Sequence, residues 1–227
     1  MEKSVRRSAI IAISAVCILF AIELLDRTLQ LELYRFGIYP RSTTELANIL
    51  FAPLIHGSWN HLFSNSLTLP VLLGTLLYAY PRSALATLLL IYIGSGTGVW
   101  LFARDSYHFG ASGLNHGMMF YIFVSGILRR DRLSIALSMI VFFLYGGMIW
   151  SIFPQEAGIS YESHFFGAVT GVLAAFLFGH RDPMPPAKHY DWEGEESGDD
   201  SPEQTAPGSP GPAENQDTTH QENDSQR

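Results

Sequence analysis

Ser112 and His164 are the residues best suited to chemistry. Ser112 stands in Gly110-Ala111-Ser112-Gly113, where a polar loop enters an apolar segment of roughly membrane-spanning length. His164 stands in Ser163-His164-Phe165-Phe166-Gly167, one helical hairpin later. A hydroxyl and an imidazole at matching depth in two membrane helices are costly, and polar groups placed there are by default a functional-site hypothesis. The pair suggests a serine nucleophile activated by a histidine base, working inside a bilayer. His61 and Asn65 lie in the first turns of another apolar segment. At about 1.5 Å per residue, all four residues fall in a slab about 10 Å deep below one membrane surface.

Each residue also has an ordinary explanation. Ser112 could be a helix N-cap or a small packing residue. His164 could be an interfacial histidine bonded to a carbonyl, and Asn65 could join two helices. His56 and His61 could be metal ligands or partners of loop backbone, but a five-residue spacing sits poorly on one helix face, so no metal site is assigned. The shared depth of the set favours one common site. An acyl-transfer site needs donors for a developing oxyanion. The Ser112 N–H at a helix start, Asn65 and His61 are the candidates. Gly110 and Gly113 flank Ser112, and Gly167 and Gly171 follow His164 as a small-xxx-small pair. Such residues let membrane helices approach closely, as a serine and a histidine on separate helices require. Gly94, Gly96 and Gly98 read as ordinary packing.

The elements that must position these residues are apolar runs at about 8–25, 60–80, 83–103, 110–128, 133–152 and 161–179. A bilayer core needs about 20 apolar residues, so six spans are expected over residues 1–180. A cleaved signal peptide could explain the first run alone, but the run is long, lacks a clear small-x-small cleavage site, and is followed by five more. Cys17, the only cysteine, lies within it as apolar filler, and no intramolecular disulfide is possible. Residues 181–227 hold twelve of the 21 acidic residues and three of the 14 basic ones, a net charge of -9. Subtracting that from the total of -7 leaves +2 for residues 1–180. Such a tail buries too little apolar surface to offset chain entropy and is predicted to be disordered.

Lys and Arg near span ends set orientation. Lys3, Arg6, Arg7, Arg82, Arg129, Arg130, Arg132, Arg181 and Lys188 fall on one side of six spans. Arg27, Arg35, Arg41 and Arg104 fall on the other. Nine against four predicts that both termini are cytoplasmic, with Ser112 and His164 near the outer face; the membrane expected is a bacterial cytoplasmic one.

These residues resemble the rhomboid family of intramembrane serine proteases. Three motifs carry the resemblance: Gly110-Ala111-Ser112-Gly113, His164-x-x-Gly167-x-x-x-Gly171, and His56-x-x-x-x-His61-x-x-x-Asn65, on segments four, six and two. It covers roughly residues 8–180. It implies an all-α, polytopic six-helix bundle with a water-filled cavity open to the outer face. Ser112 would be the nucleophile and His164 the general base, with His61 and Asn65 assisting the oxyanion and His56 in support. The loop at about 27–58 would lie partly in the membrane plane, and segment five with the loop at about 152–160 would form a lateral gate and cap. Two positions depart from the family pattern. His116, one turn after Ser112, stands where Tyr is frequent, and an imidazole there could still stack on the base. Ser163 replaces a frequent Ala or Gly.

The reading is a cofactor-independent, metal-free protease that cleaves transmembrane or juxtamembrane segments of single-span proteins in the lipid bilayer, with no nucleic-acid partner. The alternatives are a catalytically inactive rhomboid-like client-binding protein and a small multi-pass transporter. Glu162, two residues from His164, does not share its helix face and is expected to favour a helix N-terminus or interfacial water. Asp105 and His108 are expected to be solvated, and Arg129-Arg130-Asp131-Arg132 to be a topology anchor.

Overall fold

Serine and aspartate punctuate the chain where the apolar runs begin. Ser4, Ser58, Asp131 and Ser160 each accept the backbone N–H three residues on, which satisfies a donor left open at a helix start. A computed structural model describes residues 4–154 and 159–183. Six helices follow in order: α1 (Val5–Leu29), α2 (Trp59–Ala79), α3 (Ala84–Phe102), α4 (Ser112–Arg129), α5 (Arg132–Tyr145) and α6 (Tyr161–Phe178). A 3₁₀ turn, Gly146–Ile152, extends α5. Among the described residues there are no strands, only an isolated bridge between Ile38 and His108.

Among the described residues, five helical stretches are long and apolar enough to cross a membrane: α1, α2, α3, Arg132–Ile152 and α6. The exception is α4, expected as one of six apolar spans. Its position explains its polarity. It packs against α2, α3, α5 and α6, and eleven of its 18 residues are buried. A helix shielded by neighbours can hold Asn115, His116 and Ser125 without exposing them to lipid. The main core joins Leu62, Leu69, Leu72 and Leu76 of α2 to Met118, Tyr121 and Ile122 of α4.

Glycine sets the crossing of α4 and α6. A Cβ at Gly167 would collide with the carbonyl of Gly113, and one at Gly171 with the carbonyl of Gly117. In α3, the atoms facing Gly94, Gly96 and Gly98 are side chains of Thr170, Ile49 and Phe166. The long segment between α1 and α2 folds into 3₁₀ turns at Leu33–Phe36, Thr43–Leu50 and Ala52–Leu54. Its Ile38, Ile49 and Ala52 bury against Val99 and Ala103. The expected cap loop lies partly outside the described residues, at 155–158, as does the tail from residue 184.

The expectation that His108 is solvated is corrected, and Arg129 and Glu162 gain specific partners. Arg129, in the run expected to be a topology anchor, is buried. Its Nη1 donates to the carbonyls of Gly179 (2.8 Å) and Asp182 (2.7 Å), so its charge meets the negative C-terminal end of α6. His108 is also buried, at 1% exposure. Its Nδ1 is 2.7 Å from Ser160 Oγ, which ties the loop before α4 to the start of α6. Burial lowers its pKa, against the raising influence of the Arg104 carbonyl and Glu162. Glu162 stands in the first turn of α6, as one of its two expected settings had it, and is buried, with its Oε1 accepting from the Arg104 backbone N–H at 3.4 Å.

Candidate active site

The helix starts bring the polar residues together. Ser112 opens α4, His164 is the fourth residue of α6, and His61 and Asn65 occupy the first two turns of α2. Ser112, His164, His61, Asn65 and His116 line one cavity of about 570 Å³.

The turn before Ser112 is built around Gly110. Its φ is +115°, a region that favours glycine. Its N–H donates to Ala52 O at 2.8 Å. A Cβ there would sit 2.6 Å from the His61 ring. Gly110 therefore serves the turn and His61, while Gly113 serves the helix crossing. His56 steadies the next residue, accepting the Ala111 N–H at Nε2 over 3.5 Å. Burial, with a smaller push from His61, takes the His56 pKa down to about 4, so the ring is neutral at physiological pH. The rings of His56 and His61 stand 5.0 Å apart. Among the described residues no group of three or more His, Cys, Asp or Glu could hold a metal ion.

His164 is oriented by backbone. Its Nδ1 lies 2.9 Å from the Ser151 carbonyl, which can only accept, so Nδ1 carries the proton and Nε2 is left as an acceptor. Glu162, two residues away, points instead to Arg104 and His108. His116 stacks on His164 with centroids 4.0 Å apart. Its Nδ1 donates to Ser112 O at 2.7 Å, and its Nε2 is 2.9 Å from Ser151 Oγ and 3.2 Å from Met148 O. Among the described residues the Ser112 hydroxyl makes no hydrogen bond. Catalytic hydrogen bonds are often long without substrate and tighten in the complex.

The Asn65 amide is held from one side. Asn115 Nδ2 is 3.3 Å from Asn65 Oδ1, and among the described residues Asn65 Nδ2 has no partner. Asn115 and Ser151 escape a sequence reading for different reasons. Asn115 left a signal, a buried amide three residues after Ser112 and so on its face. Ser151 holds His164 through its carbonyl, which no side-chain pattern reports.

The chain is similar in sequence to known proteins. Residues 43–181 match the family model described as Rhomboid domain. An uncharacterised protein of Mycobacterium tuberculosis is 37% identical over 173 residues, which is 71% of this chain and 71% of the relative. An uncharacterised protein of Mycobacterium leprae is 30% identical over 194 residues, 82% of this chain and 74% of the relative. A protein of Acanthamoeba polyphaga mimivirus whose name includes the word rhomboid is 28% identical over 153 residues, 63% of this chain and 80% of the relative.

Proposed function

The chain belongs to the rhomboid family and is an integral, multi-pass membrane protein, and from that premise we propose that it is an intramembrane serine protease. Its substrates are single-span membrane proteins, cut within or beside their membrane segments. Ser112 Oγ attacks the scissile carbonyl carbon and passes its proton to His164 Nε2. The oxyanion is met by the Asn65 amide, His61 and the Ser112 N–H. As the intermediate collapses, the C–N bond breaks and His164 returns the proton to the leaving amine. Water then attacks the acyl-enzyme with His164 again as base.

One observation carries this reading. The Ser151 carbonyl fixes the proton of His164 on Nδ1, and the imidazole shares a cavity with Ser112. A backbone carbonyl thus supplies the orientation that a buried carboxylate supplies in a triad. The charge asymmetry of the span ends supports a topology with both termini cytoplasmic and Ser112 near the outer face.

The test is cleavage of a panel of single-span proteins in proteoliposomes, with labelling by a fluorophosphonate probe. Wild type cleaves and labels at Ser112. Ser112→Ala and His164→Ala each abolish cleavage at normal membrane abundance, and the double variant is no worse than either, because the pair acts as a unit. Substantial cleavage by Ser112→Ala would overturn the assignment. Client binding without labelling in the wild type would favour an inactive rhomboid-like protein.

A further inference from the structure

Asn115 is buried at 1% exposure between α4 and α2. Its Nδ2 faces three acceptors on α2: Asn65 O at 3.2 Å, Asn65 Oδ1 at 3.3 Å and Thr68 Oγ1 at 3.0 Å. A side-chain amide has an acceptor edge and a donor edge. Asn115 occupies the acceptor edge of Asn65, so the donor edge turns the other way. Among the described residues, Asn65 Nδ2 is buried with no hydrogen-bond partner. It lies on the Ser112 side, since a Cβ built on Gly110 would be 3.6 Å from it. A buried N–H calls for an acceptor, and this one stands in the lining of the cavity that also holds Ser112.

We propose that Asn115 is a positioning residue that locks the Asn65 amide with its N–H edge toward the oxyanion of the tetrahedral intermediate. The inference rests on the protease reading above. Without Asn115, the Asn65 amide is free to rotate and present its carbonyl to the oxyanion, which repels it. Pre-organised donors act because they need no reorientation as charge develops. Asn115 therefore touches no reacting atom and acts wholly through Asn65.

The experiment is a double-mutant cycle on kcat and KM for one cleaved single-span substrate, with thermal unfolding of each variant in detergent. Losing one oxyanion donor costs about 10²–10³ in kcat in other serine enzymes. Asn65→Ala is expected in that range, and Asn115→Ala at about 10–10²-fold, with KM little changed. In the Asn65→Ala background, Asn115→Ala has no further effect on kcat, the coupling expected of residues acting through one group. Asn115→Asp is worse than Asn115→Ala, because the introduced carboxylate accepts the Asn65 N–H and turns the donor edge away from the substrate. Thr68→Val, which removes only a third acceptor, stays near wild type.

Additive losses in the cycle, or a fall in kcat that merely tracks the fall in melting temperature, would overturn the positioning role while leaving the protease standing. A wild type that neither cleaves nor labels at Ser112 removes the protease reading, and this inference with it. Should Asn115→Asp not fold, the cycle with Asn115→Ala still decides.

Discussion

The imidazole of His116 lies flat on that of His164, with centroids 4.0 Å and planes 10° apart. His116 also donates to the carbonyl of Ser112, so one ring joins the proposed base to the helix turn carrying the proposed nucleophile. Its other nitrogen reaches Met148 O and Ser151 Oγ, in the same 3₁₀ turn whose Ser151 carbonyl holds His164.

This arrangement separates two contributions of His116, the flat apolar face and the polar bridge. His116→Phe keeps a ring against His164 and loses the bridge. His116→Ala loses both. Misplacing reacting groups by 1 Å can cost about 10²-fold in rate, so His116→Ala is expected to lose about 10–10²-fold in kcat. His116→Phe should fall between it and wild type, and His116→Tyr should retain most activity. Steady-state cleavage at equal folded abundance checks the order. An Ala variant as active as the Phe variant would mean that the stack does not hold the base.

Much of this site is legible in the sequence because polar residues are conspicuous among apolar runs. Ser112, His164, His61 and Asn65 stand out by type and depth, and the structure lines one cavity with them. The spacing of Gly167 and Gly171 marks a close helix crossing, and the structure sets it against Gly113 and Gly117. Hydropathy does less well for α4, since a central helix escapes the apolar requirement that lipid contact imposes. Loop residues are the least legible. His108 looks solvated in a linear reading, yet it is buried where the 104–108 loop meets Glu162 of α6. Backbone partners such as Ser151 O leave no mark on residue type at all.

The α4–α6 crossing gives a second prediction. Gly167 approaches Gly113 backbone to backbone, directly beside Ser112. Gly167→Leu forces the helices apart, and overpacking typically costs about 1–3 kcal/mol. The chemical loss should be steeper, because Ser112 and His164 ride on the two displaced helices. Gly167→Leu is expected to insert, lose most cleavage and label poorly with a fluorophosphonate probe. Gly96→Leu faces the Ile49 side chain, which can repack, and should label better. Equal labelling of the two variants at equal abundance would contradict the crossing as the determinant.

His56 supplies a pH dependence of stability. Burial holds its folded pKa at about 4, against an ordinary 6.5. Between those values the unfolded chain binds a proton that the folded chain refuses. The contribution is thus fully present above about pH 6.5 and is lost as pH falls toward 4. His56→Gln keeps an acceptor for Ala111 N and does not titrate. Melting temperatures from pH 7.5 to 4.5 should fall less steeply in His56→Gln than in wild type. Parallel slopes would show that His56 does not carry the acid lability.

The last prediction concerns where the working unit ends. Asp182 falls in the acidic segment by composition, yet its carboxylate is buried, at 3% exposure. It accepts from Arg82 N at 2.8 Å, Ser83 N at 3.2 Å and Ser83 Oγ at 2.5 Å, and so caps α3 from the end of α6. Its own carbonyl accepts from Arg129. Asp182→Ala leaves the buried Ser83 N–H and hydroxyl without this acceptor, a loss of about 1–3 kcal/mol. Asp182→Asn keeps one acceptor oxygen and should recover part of it. Deleting residues 191–227 removes only chain whose composition cannot build a core, and should leave both melting temperature and cleavage near wild type. Thermal unfolding of the three variants in detergent decides the matter. If the deletion destabilises as much as Asp182→Ala, the acidic segment is part of the folded unit; if Asp182→Ala is neutral, the cap on α3 contributes nothing to holding the bundle together.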